Sequence, residues 1–337
     1  MTTTEIEPEV QERAPTWWQR AAAGSATQIG LILVGLIVIF SVLEPENFTS
    51  VNNARNIATD AAVLLVIATG MTYVIITAGI DLSVGSVLVF SGVIAAKLMN
   101  QVGGDNWGVI LIGLAAALAS GLAWGLVNGF LVAKAKIPAF IVTLGTFGMA
   151  LGLALVISGG VDERSVPFKL ISTIGIGRLF SQIPYLVLIS LAVALVFGVI
   201  LAQTRFGRYT YAIGSNQEAA RRAGVNVDRH LMKVYALAGT LAGLAGFMSL
   251  ARFGTTTIGG HATDNLDAIA GVVIGGTSLF GGIGTILGTV FGVFIPAVLE
   301  NGFVIVGVEA FWQQVAVGAV LIVAVYLDQL RRARQRQ

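Results

Sequence analysis

The chain has no cysteine at all, which removes disulfides and thiolate-bound metals from consideration, and its two histidines cannot form an imidazole cluster. Charge is also scarce. Only 11% of the 337 residues are Asp, Glu, Lys or Arg, less than half the share of an ordinary soluble domain, while 55% are apolar. No glycine is followed by lysine, so the phosphate-cradling loop GxxxxGK[ST] is absent and the chain is not expected to hydrolyse ATP by itself. Neither HExxH nor a nucleophile elbow occurs, and the carboxylates of the apolar segments are strung out singly, with no tight acid–base pair to work as an enzyme. A net charge of +2 gives no basic surplus for a nucleic-acid partner, and nothing in the sequence calls for a metal.

What the sequence does have is length in apolar runs. Ten segments, at 28–43, 57–79, 84–100, 108–133, 139–158, 183–202, 231–252, 265–280, 284–303 and 310–327, approach the roughly 20 residues needed to cross hydrocarbon. Backbone polar groups in lipid must be satisfied internally, and the runs are too long and uniform for barrel strands. The expected fold is therefore an all-α integral membrane protein with about ten transmembrane helices embedded in the lipid bilayer. An even number of spans puts both termini on one side. That side also carries Lys134, Lys136, Arg205, Arg208, Arg221, Arg222, Arg229, Lys233 and the terminal arginines, so the positive-inside rule makes it cytoplasmic. The expected organisation is a cytoplasmic tail at 1–27, one transmembrane domain at 28–328 and a basic cytoplasmic tail at 329–337. Trp17 and Trp18 precede the first apolar run, where interfacial anchors sit.

Between the sixth and seventh spans, within the loop 203–230, the stretch RFGRYTYAIGSNQEAARRAGV (205–225) returns to water with Gly207 and Arg208 near its start and Glu218, Ala219, Ala220, Arg221 and Gly224 near its end. Alanine and glutamate favour a short helix, and Gly224 can end it in a left-handed conformation. Its placement suggests a cytoplasmic handle for another protein, closing a cleft around the small alanines. Two other links are rich in glycine. GIDLSVG at 79–85 is so short that its flanking helices must be neighbours, with Gly79 and Gly85 admitting close or broken backbone and Asp81 capping a helix start. GGTSLFGGIGTILG at 275–288 reads as a break between two short spans, and its Gly281, Gly284 and Gly288 suit either unwound backbone or close helix packing. Asp60 and Glu300 lie near span ends and read as capping or snorkelling groups; Asp267, near the start of the eighth span, suits a cap.

Four blocks, GMTYVIITAGIDLSVGSVLVFSG (70–92), IPAFIVTLGTFGMALGLALVISGG (137–160), FGRYTYAIGSNQEAARRAGVNV (206–227) and LDAIAGVVIGGTSLFGGIGTILGTVFG (266–292), resemble the membrane permeases of bacterial ATP-binding-cassette (ABC) sugar importers, in particular the ribose and xylose type. The resemblance implies residence in the cytoplasmic (inner) membrane of a bacterium and a second permease, in a homodimer or a heterodimer. It also implies cytoplasmic ATPase subunits, which carry the ATP and Mg so that this chain binds no cofactor, and an extracellular or periplasmic sugar-binding protein. On the same likeness Glu218, Ala219, Ala220 and Gly224 belong to the coupling helix. The Ile-x-Leu-Pro ending of other importers is replaced by Val234, Tyr235, Ala236 and Leu237. Trp124, Asn128, Thr143, Thr146 and Phe147 are candidates for the translocation pathway, since amides, hydroxyls and aromatic faces suit a passing polyol. The competing reading, an ion-coupled secondary transporter of a small polar solute, needs buried carboxylates, of which the sequence offers few.

Overall fold

The computed structural model describes residues 25–309 except 165 and 262, together with 312, 315, 318, 319, 322 and 326. Most of the expected span at 310–327, Trp17 and Trp18, and nearly all of both tails lie outside the described residues. The helices are α1 (Ser25–Leu43), α2 (Pro45–Phe48), α3 (Val51–Ile76), α4 (Val84–Val102), α5 (Trp107–Ala133), α6 (Ala139–Ser158), α7 (Phe168–Leu170), α8 (Tyr185–Gln203), α9 (Arg205–Ser215), α10 (Gln217–Arg222), α11 (Val227–Phe253), α12 (Asp264–Ile274) and α13 (Ile286–Val306). A π-helical turn, Ile171–Gly175, and a two-residue antiparallel pairing, Arg178–Leu179 with Ile183–Pro184, complete the link between α6 and α8. Among the described residues, seven helices are long and apolar enough to cross a membrane: α3, α4, α5, α6, α8, α11 and α13.

The expected boundaries shift in instructive places. α3 starts at Val51, six residues before the apolar run, because Ser50 accepts a hydrogen bond from the Asn53 amide and Asn53 is held by a reciprocal amide pair with Asn301 at 2.9 Å. α12 stops at Ile274 after only 11 residues, so the expected eighth span is a half-length helix that ends in the glycine-rich break. α3 and α11 are almost wholly enclosed, whereas α6 and α8 keep most of their residues on the outside of the bundle.

The centre is organised by glycines. α5 and α11 run antiparallel with Gly121 and Gly125 set against Gly239 and Gly243, so close that a β-carbon at Gly121 would overlap the Gly239 carbonyl oxygen. In a medium where apolar burial gives no driving force between helices, such close approach replaces it with packing contacts. Gly275 against Gly288 and Gly271 against Gly292 make a second seam of the same kind, which joins α12 to α13.

Candidate functional site

The hydrophilic stretch after α8 folds as two helices rather than the single helix expected. Asn216 is the divider. Its backbone is extended, it closes α9, and its side-chain oxygen accepts the Ala219 amide at 2.9 Å to start α10. At the other end of α10, Gly224 adopts φ +85° while its amide bonds the Arg221 carbonyl and Val225 bonds Ala220.

Arg208, Glu218, Ala219, Arg221, Arg222 and Gly224 are exposed, and Arg222 bonds Glu218 one turn away at 3.2 Å. Gly207 and Ala220 are not: Ala220 is 5% exposed and packs with Ala133, Ile213, Val227 and Leu231. Of the two alanines expected to meet a partner, only Ala219 faces outward. Ala220 instead fastens α10 to the bundle, because every fourth position of a short amphipathic helix turns inward. Asp228 adds an electrostatic fastening, with Lys136 at 2.6 Å, Arg221 at 3.5 Å and Lys134 at 3.7 Å around one carboxylate. His230 ties α9 to α11 by sharing a hydrogen bond with the Thr210 hydroxyl at 2.9 Å and packing its ring 4.6 Å from that of Phe206.

Beneath α9 the two glycine-rich breaks meet each other. The Gly282 amide donates to the Ile76 carbonyl at 2.9 Å, and Tyr211 of α9 donates its hydroxyl to the Gly284 carbonyl at 2.7 Å. Burial pushes the Tyr211 phenol above its ordinary pKa, which keeps it a donor. A β-carbon at Gly281 would lie 2.8 Å from the Gly214 carbonyl oxygen and from the Ala78 side chain. Gly284 likewise stands 2.6 Å, measured from an added β-carbon, from the Thr277 hydroxyl.

In the 77–83 link, Asp81 is 1% exposed and one of its oxygens accepts both the Ser83 amide at 2.9 Å and the Ser83 hydroxyl at 2.6 Å. Asp81 therefore closes the turn before α4, whose N-cap residue is Ser83 and makes no side-chain cap of its own. The Asn128 amide reaches the same hydroxyl at 2.8 Å, and Thr143 donates to the Ile80 carbonyl at 3.2 Å. Gly85, at the first turn of α4, leaves room for the backbone of the 254–263 link, since an added β-carbon would stand 2.9 Å from the His261 carbonyl oxygen.

Four of the five expected pathway residues turn into the chain's interior. Trp124, Asn128, Thr143 and Thr146 are buried, Trp124 packs edge-on against Phe90, and the threonine hydroxyls bond carbonyls of their own helix. Only Phe147 is partly exposed. Polar side chains in spans satisfy themselves locally when they can, so hydroxyl content did not mark a surface.

Residues 53–325 match the family model described as branched-chain amino acid transport system / permease component. The chain belongs to that permease family. It is 40% identical over 302 residues to the ribose import permease protein RbsC of Escherichia coli strain K12, covering 88% of this chain and 92% of that one. It is 37% identical to the D-allose transport system permease protein AlsC of the same organism, over 97% and 98% of the two chains, and 38% identical to the RbsC of Bacillus subtilis strain 168, over 90% and 92%. No solved structure matches it.

This permease also holds a charged cavity that sequence order concealed. Asp60, Arg252, His261, Asp264, Asp267 and Glu300 line one space of about 270 Å³ between α3, α11, α12 and α13. Arg252 pairs with Asp60 and donates to the Thr59 carbonyl at 2.9 Å, while His261 joins Asp264 at 2.7 Å and the Ser249 hydroxyl at 2.7 Å. Asp60 was expected to cap or snorkel at a span end. With α3 beginning at Val51 it lies roughly two and a half turns inside the helix and is held by the arginine instead. Carboxylates spread over 240 residues, two of them in the first turn of α12, are brought together by helix packing, and no local pattern announces that.

Proposed function

We propose that this chain is the membrane-spanning subunit of an ABC importer that carries a monosaccharide, ribose- or xylose-like or a related small polyol, across the bacterial cytoplasmic membrane. The observation that carries the proposal is the likeness to sugar permeases, which runs through nearly the whole chain and includes both breaks and the α9–α10 pair. With no phosphate loop of its own the chain needs a partner to supply energy, and the exposed Glu218, Ala219, Arg221, Arg222 and Gly224 present the projecting surface for it. On this reading the basic end, with α9 and α10, is cytoplasmic and docks two ATPase subunits that hold ATP and Mg.

The chain works as a pair. The outer face of α6 supports this, since Gly145, Gly148 and Gly152 have open space before them and would let a second membrane helix approach closely. A sugar-binding protein delivers cargo at the other end, where the link 159–184 lies, and the sugar descends the seam between the two copies beside Phe147. The test is uptake into proteoliposomes containing this permease, its ATPase and its binding protein. The proposal requires that ATP inside drives uptake of a radiolabelled pentose or hexose and that an uncoupler of ion gradients leaves uptake intact. Uptake that needs the ion gradient and ignores ATP would overturn it in favour of a secondary transporter.

A further inference from the structure

We propose that Tyr211 and Gly214 of α9 are the positioning residues through which the docking surface acts on the transmembrane helices, Gly214 by a backbone-to-backbone contact with the end of α3 and with the 275–285 break, and Tyr211 by a hydroxyl bond to the same break. The inference rests on reading α9 and α10 as the ATPase-facing element and says where the movement of that element goes.

Gly214 lies in the last turn of α9, and a β-carbon there would overlap the Ile76 carbonyl oxygen and stand 2.6 Å from the Gly282 nitrogen. The same two atoms, Gly282 N and Ile76 O, are the donor and acceptor of the 2.9 Å bond between the 275–285 break and the end of α3. Ile76 ends α3, and the terminal carbonyls of a helix have no partner within it, so the bond from Gly282 meets a real need of α3. Three backbones from α3, α9 and the 275–285 link therefore touch with no side chain between them. Tyr211, one turn earlier on α9, grips the same link at Gly284. One turn before Ile76, the Thr72 and Thr289 hydroxyls join α3 to α13 at 2.7 Å.

Side chains absorb small displacements by changing rotamer, whereas a close-packed backbone junction passes them on. α9 can therefore move α3 and α13 as one body. Both helices run from this junction to the charged cavity, where α3 contributes Asp60 and α13 contributes Glu300. The 16 residues from Asp60 to Ile76 span roughly 24 Å of helix. A shift at Gly214 thus reaches Asp60 along the unbroken α3, and reaches Glu300 along α13, in which Pro296 stands one turn before it. Only glycine fits at position 214, and the requirement comes from this junction and not from α9, which would be more stable with alanine.

The experiment compares the unmodified permease with Tyr211→Phe and Gly214→Ala in proteoliposomes with ATPase and binding protein. It reads ATPase co-purification, ATP hydrolysis and sugar taken up per ATP. Both variants are expected to recruit the ATPase and hydrolyse ATP within about twofold of the unmodified permease, because the docking residues are untouched. Uptake per ATP is expected to fall about threefold in Tyr211→Phe, the effect of one lost hydrogen bond, and by about tenfold or more in Gly214→Ala. Tyr211→Phe keeps its ring and shape, so it decides the matter even where Gly214→Ala assembles poorly. Wild-type uptake per ATP in Tyr211→Phe and in a folded Gly214→Ala would overturn the inference, and so would loss of ATPase recruitment, since the junction would then only shape the docking surface. If the unmodified permease itself recruits no ATPase, the importer reading falls and takes this inference with it. That result differs from one in which the unmodified permease transports and the variants match it.

Discussion

Ala220 and Glu218 sit two positions apart on one short helix and face opposite ways: the alanine is buried against Ile213 and Val227, and the carboxylate stands in solvent beside Arg222. The surface proposed to dock the ATPase is thereby divided into a half that holds it to the bundle and a half that is offered outward.

Reversing the charge at the outward half separates binding from stability. Glu218→Arg is expected to weaken ATPase recruitment and ATP-driven uptake by at least about tenfold while leaving the unfolding temperature within about a degree, because an exposed pair on a helix surface contributes little to folding. Co-purification and a thermal melt of the same detergent-solubilised sample check both halves of that statement.

The inward half behaves in the opposite way. Ala220→Leu adds three carbons to a site that is 5% exposed, and overpacking of this kind costs about 1–3 kcal/mol. α10 should lift from Val227, so limited proteolysis is expected to cut in the 216–226 region faster than in the unmodified chain. Protection equal to the unmodified chain would show that the anchor is dispensable.

The α5–α11 seam is the test of the fold. Gly121→Val places a branched side chain against the Gly239 carbonyl and the Gly243 backbone, neither of which can move without separating the two most intimately packed helices. Membrane-inserted but unstable protein is expected, visible as loss of the monodisperse peak in size-exclusion chromatography. Gly145→Val, on the open face of α6, should keep the peak monodisperse and move it only from the paired to the unpaired size.

At the charged cavity, Arg252→Ala strands Asp60, yet the Asp60 side chain is 47% exposed. The loss should be on the order of 1 kcal/mol, well short of the about 3–5 kcal/mol of a fully buried pair. The double variant Asp60→Asn with Arg252→Ala should recover part of it, and unfolding of the four corners of that cycle measures the coupling.

Much of this was legible in the residues. The apolar runs at 139–158 and 108–133 give α6 and α5 to within one residue, because a run that must satisfy its backbone in lipid has little choice but helix. The division of 205–225 was less legible. Asn216 caps only because its backbone turns extended there, a choice that the string SNQEAA permits without requiring. The pathway candidates Asn128 and Thr143 were chosen for their chemistry, and the structure turns the Asn128 amide nitrogen to Ser83 and the Thr143 hydroxyl to Ile80.

By itself the sequence determined the all-α membrane class of the protein, the membrane-spanning character of its long segments and the position of the patterned polar stretch, since each follows from composition and local periodicity. Only the tertiary structure decided that Ala220 faces inward, that the 275–285 break is bonded to the end of α3 and packed against Ala78 under α9, and that Asp60, Asp264, Asp267 and Glu300 surround one cavity. Those relationships join residues up to 240 positions apart. They depend on which helix faces approach, and in a membrane that is set by small residues and scattered hydrogen bonds, which leave no periodic mark along the chain.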